Sequence, residues 1–482
     1  MRILFFVHTL GRTRHFRSVI GRLVERGHTV ILAAARQQQL QRPKAGFYGH
    51  PNIELAACPM EREDKWAAIV GPFRRTRDYL RFFDPRFAHA SKLSTRAAEH
   101  APAGWNRAIA RHPWLKRHWR LVQRGLALAE TVAPCDAAFR GFLEECSPDL
   151  VLVTPLVDFG SYQTDYVKCA HQLGVPVLYL PFSWDNLTSR GMIHAAPDCA
   201  LVWNKLQQDE AVTLHGVPAS RIVVTGAPRF DEFFAMTPDR SREAFCAALG
   251  FNSQRPMLLY VCSAKFIGPP EVDFVRQWIA ALRAAPASSW VRDANVLVRP
   301  HPANLTDWKS ANLSDLPSVA VWSTRSILNA DQGLYDSLYH STAVVGLNTS
   351  AMIEAAIVGR PVYTIVAPEF AGGQGGTLHF WYLLVDNGGV VFRSDTFEEH
   401  LRQLAEAPAH EAETRERCRR FLESFIRPRG LDVPAGHVMV EEIERAASMG
   451  KRPRAARFWH HPLRWGLDAA VRAGFDPSLD AS

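Results

Sequence analysis

Three small polar residues, Asn348, Thr349 and Ser350, stand where an apolar strand ends and a helix begins. Such a junction turns backbone N–H groups and hydroxyls toward the positive end of the helix, which suits a pyrophosphate. Glu354 lies one turn further on, on the face that carries Ser350, where a carboxylate can accept from ribose hydroxyls. An ordinary N-cap by Asn348 or Thr349, with Glu354 exposed, fits the same pattern. A second strand ends in Arg299-Pro300-His301-Pro302. There the guanidinium offers a planar fork for phosphate and the imidazole titrates near neutrality; a structural arginine in a rigid proline turn is the alternative.

A third set follows the strand expected at 175–181. Ser183, Asp185, Asn186, Thr188, Ser189 and Arg190 crowd hydrogen-bonding groups beside Trp184, whose flat ring suits a sugar face. Asp185 reads as a base or sugar-hydroxyl partner, or as a loop cap. The loop after the first strand runs from His8 to His15 with Gly11 as its one glycine. Arg12 and Arg14 suit an acceptor, and His15 is a candidate base or a satisfied structural histidine. Lesser candidates are Asp158, Asp165 and Lys168 near Pro155, and Ser263 and Lys265 after the first strand of the second half. His379 lies beside the glycine-rich stretch Gly372–Gly376, a loop able to close over a donor.

The segment from Asn348 to Pro361 resembles the donor-binding loop of GT-B glycosyltransferases, of the related non-hydrolysing UDP-N-acetylglucosamine 2-epimerases and of CDP-glycerol glycerophosphotransferases. These share a small polar turn, an acid on the next helix and a Gly-Lys/Arg-Pro triplet, here Glu354 and Gly359-Arg360-Pro361. The resemblance implies that Ser350 and its neighbours hold the donor phosphates and Glu354 the ribose. The Arg299–Pro302 run is similar to a segment of glycerophosphotransferases and capsule-type transferases. Pro181–Gly191 and Phe425–Asp432 resemble segments of bacterial surface-polysaccharide transferases. Many GT-B enzymes are glycine-rich after the first strand; Gly11 alone departs from that and favours acceptor binding there.

These residues need a scaffold, and the apolar pattern supplies one. Arg2–Val7 reads as a strand, Phe16–Arg26 as an amphipathic helix closed by Gly27, and Thr29–Ala34 as the next strand, a βαβ unit. Strands are expected again at 149–155, 175–181, 199–203 and 222–224, with helices at 162–173 and 207–215. A second series has strands at 257–262, 295–299, 319–322, 343–346 and 361–365, with helices at 271–284 and 350–359. Helices at 398–406, 411–426 and 436–447 complete the chain. Continuous apolar strands alternating with helices predict parallel sheets covered on both faces, with ligands beyond the carboxyl ends of the strands. The expected division is an N-terminal acceptor domain over 1–230 with a basic helical insertion at about 60–130, a nucleotide-donor domain over 231–430, and a helix with a basic aromatic tail over 431–482.

A chain of 482 residues is too long for one core. Net charge is +8, and between Pro72 and Arg124 there are 13 Lys and Arg against three acids, interleaved with Phe and Trp. Such a stretch can rest on an anionic lipid surface; a solvated helical insertion with core aromatics is the alternative. No nucleic-acid module accompanies the charge. The eight cysteines are scattered without a CxxC pair, which argues against a zinc site or disulfide framework and for a reducing compartment. The apolar N-terminus is too short for a signal peptide, and nowhere do 18 apolar residues run together.

These readings converge on an α/β chain of GT-B type, two Rossmann-like domains facing each other across a cleft. The expected activity is metal-independent, cofactor-free transfer of a sugar from a nucleotide-sugar donor to a glycan or lipid-linked acceptor in surface polysaccharide biosynthesis. The expected location is cytoplasmic, peripheral on the inner face of the plasma membrane. A CDP-polyol phosphotransferase, a nucleotide-sugar 2-epimerase and a non-catalytic scaffold are the alternatives.

Overall fold

A computed structural model describes residues 1–34, 46–309, 311, 313, 315–322, 330–448, 450 and 460–472. The chain forms two units, residues 1–231 with 425–482 and residues 232–424.

The first unit is built on seven strands: β1 (Arg2–His8), β2 (Thr29–Ala34), β3 (Ile53–Ala57), β4 (Leu150–Val153), β5 (Val177–Tyr179), β6 (Cys199–Val202) and β7 (Ile222–Val224). Their order is β3-β2-β1-β4-β5-β6-β7, and every neighbouring pair is parallel. Because side chains alternate across a strand, the unbroken apolar run of β1 serves two cores. Ile3, Phe5 and Val7 join one, and Leu4 and Phe6 the other. The helix Ala435–Ser448 closes the first of these with Met439, Val440 and Ile443. Asp231 caps it, accepting from the backbone N–H of Ala435 at 3.0 Å and Gly436 at 2.7 Å, while Arg427 binds the same carboxylate at 3.0 Å.

The insertion between β3 and β4 is helical and has its own core around Trp66, Phe73, Leu80 and Leu126. Part of its positive charge is turned inward, while Arg107, Arg111, Lys116, Arg117, Arg120 and Arg124 are exposed. Arg74 bonds Glu130 through Nε at 3.0 Å and Asp165 through Nη1 at 2.6 Å, Arg62 reaches Asp165 at 2.7 Å, and Arg77 reaches Glu130 at 2.9 Å. Lys168 donates to the carbonyl of Glu130 at 2.8 Å. Burial pushes the Glu130 carboxyl up, but Arg74, Lys168 and Arg77 outweigh it and hold the group at about 2. Asp165 and Lys168, singled out as site candidates, thus belong to a buried ion network tying the insertion to the helix Gln163–Leu173. Phe73, Phe82 and Phe87 are buried, as core aromatics are, whereas Trp114 is 58% and Leu121 63% exposed. Trp465, in the helix His460–Arg472, is 73% exposed. The basic tail residues 451–459 lie outside the described residues.

The second unit carries β8 (Met257–Val261), β9 (Asn295–Arg299), β10 (Val319–Val321), β11 (Ala343–Gly346), β12 (Val362–Ile365) and β13 (Val391–Ser394). The order is β10-β9-β8-β11-β12-β13, again parallel throughout. This is the doubly wound arrangement, in which the strand order reverses between β8 and β11 and, in the first unit, between β1 and β4. The carboxyl ends at such a reversal are left open to ligands. Among the described residues, no helix is long and apolar enough to cross a membrane.

Candidate functional site

In the first unit the reversal point gathers His8 from the end of β1, Arg12 from the next turn and Asp158 from the loop after β4. Arg12 donates from Nη1 to Asp158 Oδ2 at 3.4 Å, and Arg190 from its own Nη1 to Oδ1 of the same carboxylate. Both guanidinium groups lie over the ring of Phe182, at 5.0 and 5.2 Å from its centroid. Burial raises the Asp158 carboxyl, but Arg190, Arg12 and His8 pull it below the usual carboxylate range. The Nδ1 of His8 is 4.0 Å from Asp158 Oδ2. The structure thus brings together Arg12, Asp158 and Arg190, three of the acceptor candidates, around a carboxylate they share.

His15 differs from its expected role. Its ring is buried against Phe182, with centroids 5.2 Å apart, and Arg229 donates to its Nδ1 at 3.2 Å. Burial, with Arg229, Arg14 and Arg12 around it, pushes the imidazole down to about 2. A nitrogen so reluctant to take a proton does not suit a general base. His8 is the better-placed imidazole, and in sequence it is the polar residue that ends the apolar run of β1. Asp185 accepts from Ser189 Oγ at 2.8 Å and precedes the short helix Asn186–Ser189 without a side-chain cap bond to its backbone. Trp184 is 5% exposed, which leaves no open ring face for a sugar. Arg14 is exposed.

In the second unit the reversal point joins the ends of β8 and β11. The N–H of Asn348 donates to Ser263 Oγ at 3.2 Å, and its side-chain Nδ2 donates to the carbonyl of Gly373 at 2.6 Å. Ser263 is itself held by Glu271, which accepts from its N–H at 2.7 Å and from Tyr260 Oη at 2.8 Å. Burial pushes the Glu271 carboxyl up to about 7 despite those donors. Thr349 and Ser350 follow, both half-buried, and the helix Ala351–Ile357 opens with no side-chain cap. Asn348 is therefore spent on the glycine-rich loop rather than on capping.

That loop is pinned. Gln374, fully buried, donates to the carbonyl of Ile365 at 2.9 Å and of Leu347 at 3.3 Å. A Cβ on Gly373 would stand 1.9 Å from the carbonyl oxygen of Ile267, so only glycine fits there. The expected closing loop is instead part of the wall, and His379 beside it is 4% exposed.

Arg299 ends β9 and donates from Nη1 to the carbonyl of Gly333 at 2.8 Å and to Ser337 Oγ at 2.9 Å, with its guanidinium 4.3 Å over Trp322. Burial lowers it to about 10, while Glu354 and Asp336 pull the other way. Glu354 is 8% exposed, and its charge acts on the Arg299 guanidinium. His301 accepts from the N–H of Ala303 at 3.1 Å, capping the turn that follows, and Lys265 is exposed. Arg360 of the Gly-Arg-Pro triplet lies elsewhere: its Nη2 donates at 2.5 Å to the carbonyl of Tyr339, the last residue of the helix Ala330–Tyr339.

The chain matches no family model, and no curated protein matches it in sequence. Solved structures are similar along nearly its whole length. A protein described as a UDP-N-acetylglucosamine 2-epimerase from Listeria monocytogenes superposes with a TM-score of 0.50 at 12% identity, covering 95% of this chain and 99% of that one. Another UDP-N-acetylglucosamine 2-epimerase gives 0.51 at 13% identity, covering 95% and 98%. A glycosyltransferase from Rickettsia africae ESF-5 gives 0.50 at 10% identity, covering 92% and 98%. Likeness at such identities is one of fold, and the two doubly wound units constitute the α/β GT-B fold of two Rossmann-like domains.

Proposed function

We propose that the chain is a glycosyltransferase that moves a sugar from a nucleotide-sugar donor to a glycan or lipid-linked acceptor in surface polysaccharide biosynthesis, without a metal. The observation that carries the reading is the buried Glu354, in the helix that follows the turn Asn348–Ser350, its charge acting on Arg299 at the end of β9. A carboxylate there suits ribose hydroxyls, while Ser350, Thr349 and the opening helix suit phosphate. Arg299 and the helix end would offset the charge of the departing diphosphate. The first unit would supply the acceptor groups Arg12, Arg190 and Asp158, with His8 drawing the hydroxyl proton and Asp158 stabilising the imidazolium so formed.

The reading also places the chain in the cytoplasm, on the inner face of the plasma membrane. Exposed Trp114 and Leu121, near arginines 117, 120 and 124 in sequence, and exposed Trp465 support an anionic lipid surface as partner. Sedimentation with anionic but not neutral liposomes is expected; equal sedimentation with both argues against it.

A second reading, 2-epimerisation of the nucleotide sugar, is supported by the likeness of fold to two UDP-N-acetylglucosamine 2-epimerases. One experiment separates these. The full chain is incubated in EDTA with UDP-, GDP-, TDP- and CMP-sugars and CDP-glycerol, with and without a lipid-linked glycan extract, and products are read by mass spectrometry. Transfer predicts sugar joined to the extract. An epimer formed without acceptor means epimerisation, and CMP released from CDP-glycerol with no sugar turnover means phosphotransfer.

A further inference from the structure

At the opposite edge of the second sheet, where β11 and β12 begin, a groove of about 530 Å³ opens. Its size is that of a small-molecule site. Ligands of doubly wound sheets gather at the carboxyl edge, so this groove is separate from the proposed donor site and does not rest on it. Arg240, Arg242 and Arg360 line it, with Tyr339, Pro238 and Glu411.

The three arginines differ in how far they are occupied. Arg242 is spent on carbonyls, those of Ser253 at 2.9 Å, His340 at 2.6 Å and Arg255 at 2.7 Å. Arg360 gives one bond to the carbonyl of Tyr339, and its Nε is buried without a hydrogen-bond partner. Burial lowers its guanidinium, which Glu411 only partly offsets. The side chain of Arg240 is exposed, and its backbone carbonyl accepts from His340 Nε2 at 2.9 Å. Among the described residues Glu411 is the one carboxylate lining the groove, and Arg415 takes it at 2.6 Å. Carbonyl dipoles solvate a guanidinium but do not cancel its charge. The groove therefore holds positive charge in excess, partly desolvated, with forks that fit phosphate oxygens. Tyr339, 39% exposed, offers a ring for an apolar or flat body.

We infer that this groove binds a phosphate-bearing small molecule, its anionic end on Arg240 and Arg360 and its body against Tyr339. The helix Ala330–Tyr339 spans from here to Arg299, which holds that helix through Gly333 and Ser337.

The test is hydrogen exchange of the full chain with inorganic pyrophosphate, against sodium chloride at matched ionic strength. Pyrophosphate is expected to slow amides at 339–342 and 359–360. Arg240→Glu, a change at an exposed side chain, should raise the concentration needed by roughly tenfold or more. Arg360→Gln should do likewise, with circular dichroism confirming that both variants fold. Amides at 348–354 report on the donor edge separately, so the two readings fail independently. No protection at 339–342, equal protection by chloride, or protection unchanged in Arg240→Glu would overturn the assignment.

Discussion

The side-chain amide of Asn348 donates to the carbonyl of Gly373 at 2.6 Å, joining the polar turn after β11 to the glycine-rich loop. One contact thus joins two segments 25 residues apart, next to the half-buried Thr349 and Ser350. Asn348→Ala removes the donor and leaves a buried carbonyl short of a partner, at a cost of about 1–3 kcal/mol. Thermal unfolding should show that loss, and amides at 371–377 should exchange faster. Gly373→Ala should be worse, because its Cβ would meet backbone rather than a movable side chain.

His8 and His15 separate a base from a structural histidine. If His8 draws the acceptor proton, His8→Ala should lower kcat by about 10²–10⁴-fold with little change in donor affinity. Asp158→Asn should lower kcat and shift the acid limb of the pH profile downward, since a carboxylate that favours the imidazolium is gone. His15→Gln should leave the shape of that profile unchanged. Steady-state kinetics from pH 5 to 9 tell these apart.

Much of the frame is legible in the chain because each central strand is an unbroken apolar run ending in polar residues. Phe5 and Phe6 both face a core, which only a strand covered on two sides allows. Two of the four edge strands, β3 and β13, are harder to read. Ile53–Ala57 is largely half-buried or exposed, and Val391–Ser394 carries Arg393 midway, so neither shows the apolar run that marks its neighbours. The helix Ala330–Tyr339 holds Gly333 and two aspartates and gives little amphipathic signal. Within the site, the link between Arg299 and Glu354 follows from topology, since both end up at one sheet edge. The pairing of Arg12 and Arg190 with Asp158 draws on loops far apart in sequence, which no local spacing reveals. Trp184 shows the same limit in reverse, because a loop sequence does not say which ring turns inward.

Glu130 receives three cationic side chains in a buried setting. Glu130→Gln should cost about 3–5 kcal/mol, since Arg77 loses the carboxylate it bonds and Arg74 keeps only Asp165, both remaining buried. Held at about 2, below its ordinary value of 4.5, this carboxylate contributes stability that is present above pH 4.5 and lost as pH falls toward 2. Acid unfolding of the wild type should therefore be steeper than that of the variant over that window.

Glu271 works with the opposite sign. Raised from 4.5 to about 7, its neutral form is the stable one in the fold. Its contribution is complete below pH 4.5 and lost as pH rises through 7. Between pH 5 and 8 the melting temperature of the wild type should fall relative to that of Glu271→Gln, which keeps a neutral acceptor for Ser263. Parallel scans of the two proteins across that range check it.

Calorimetric titration of the full chain with UDP, GDP, CDP, TDP and CMP, beside Glu354→Ala, bears most directly on the second unit as a nucleotide holder. At least one nucleotide is expected to bind the wild type, and the variant, still folded, should have lost that binding. Undiminished binding in Glu354→Ala, or no binding of any nucleotide to the wild type at millimolar concentration, would contradict the placement of a donor at the carboxyl ends of β9 and β11.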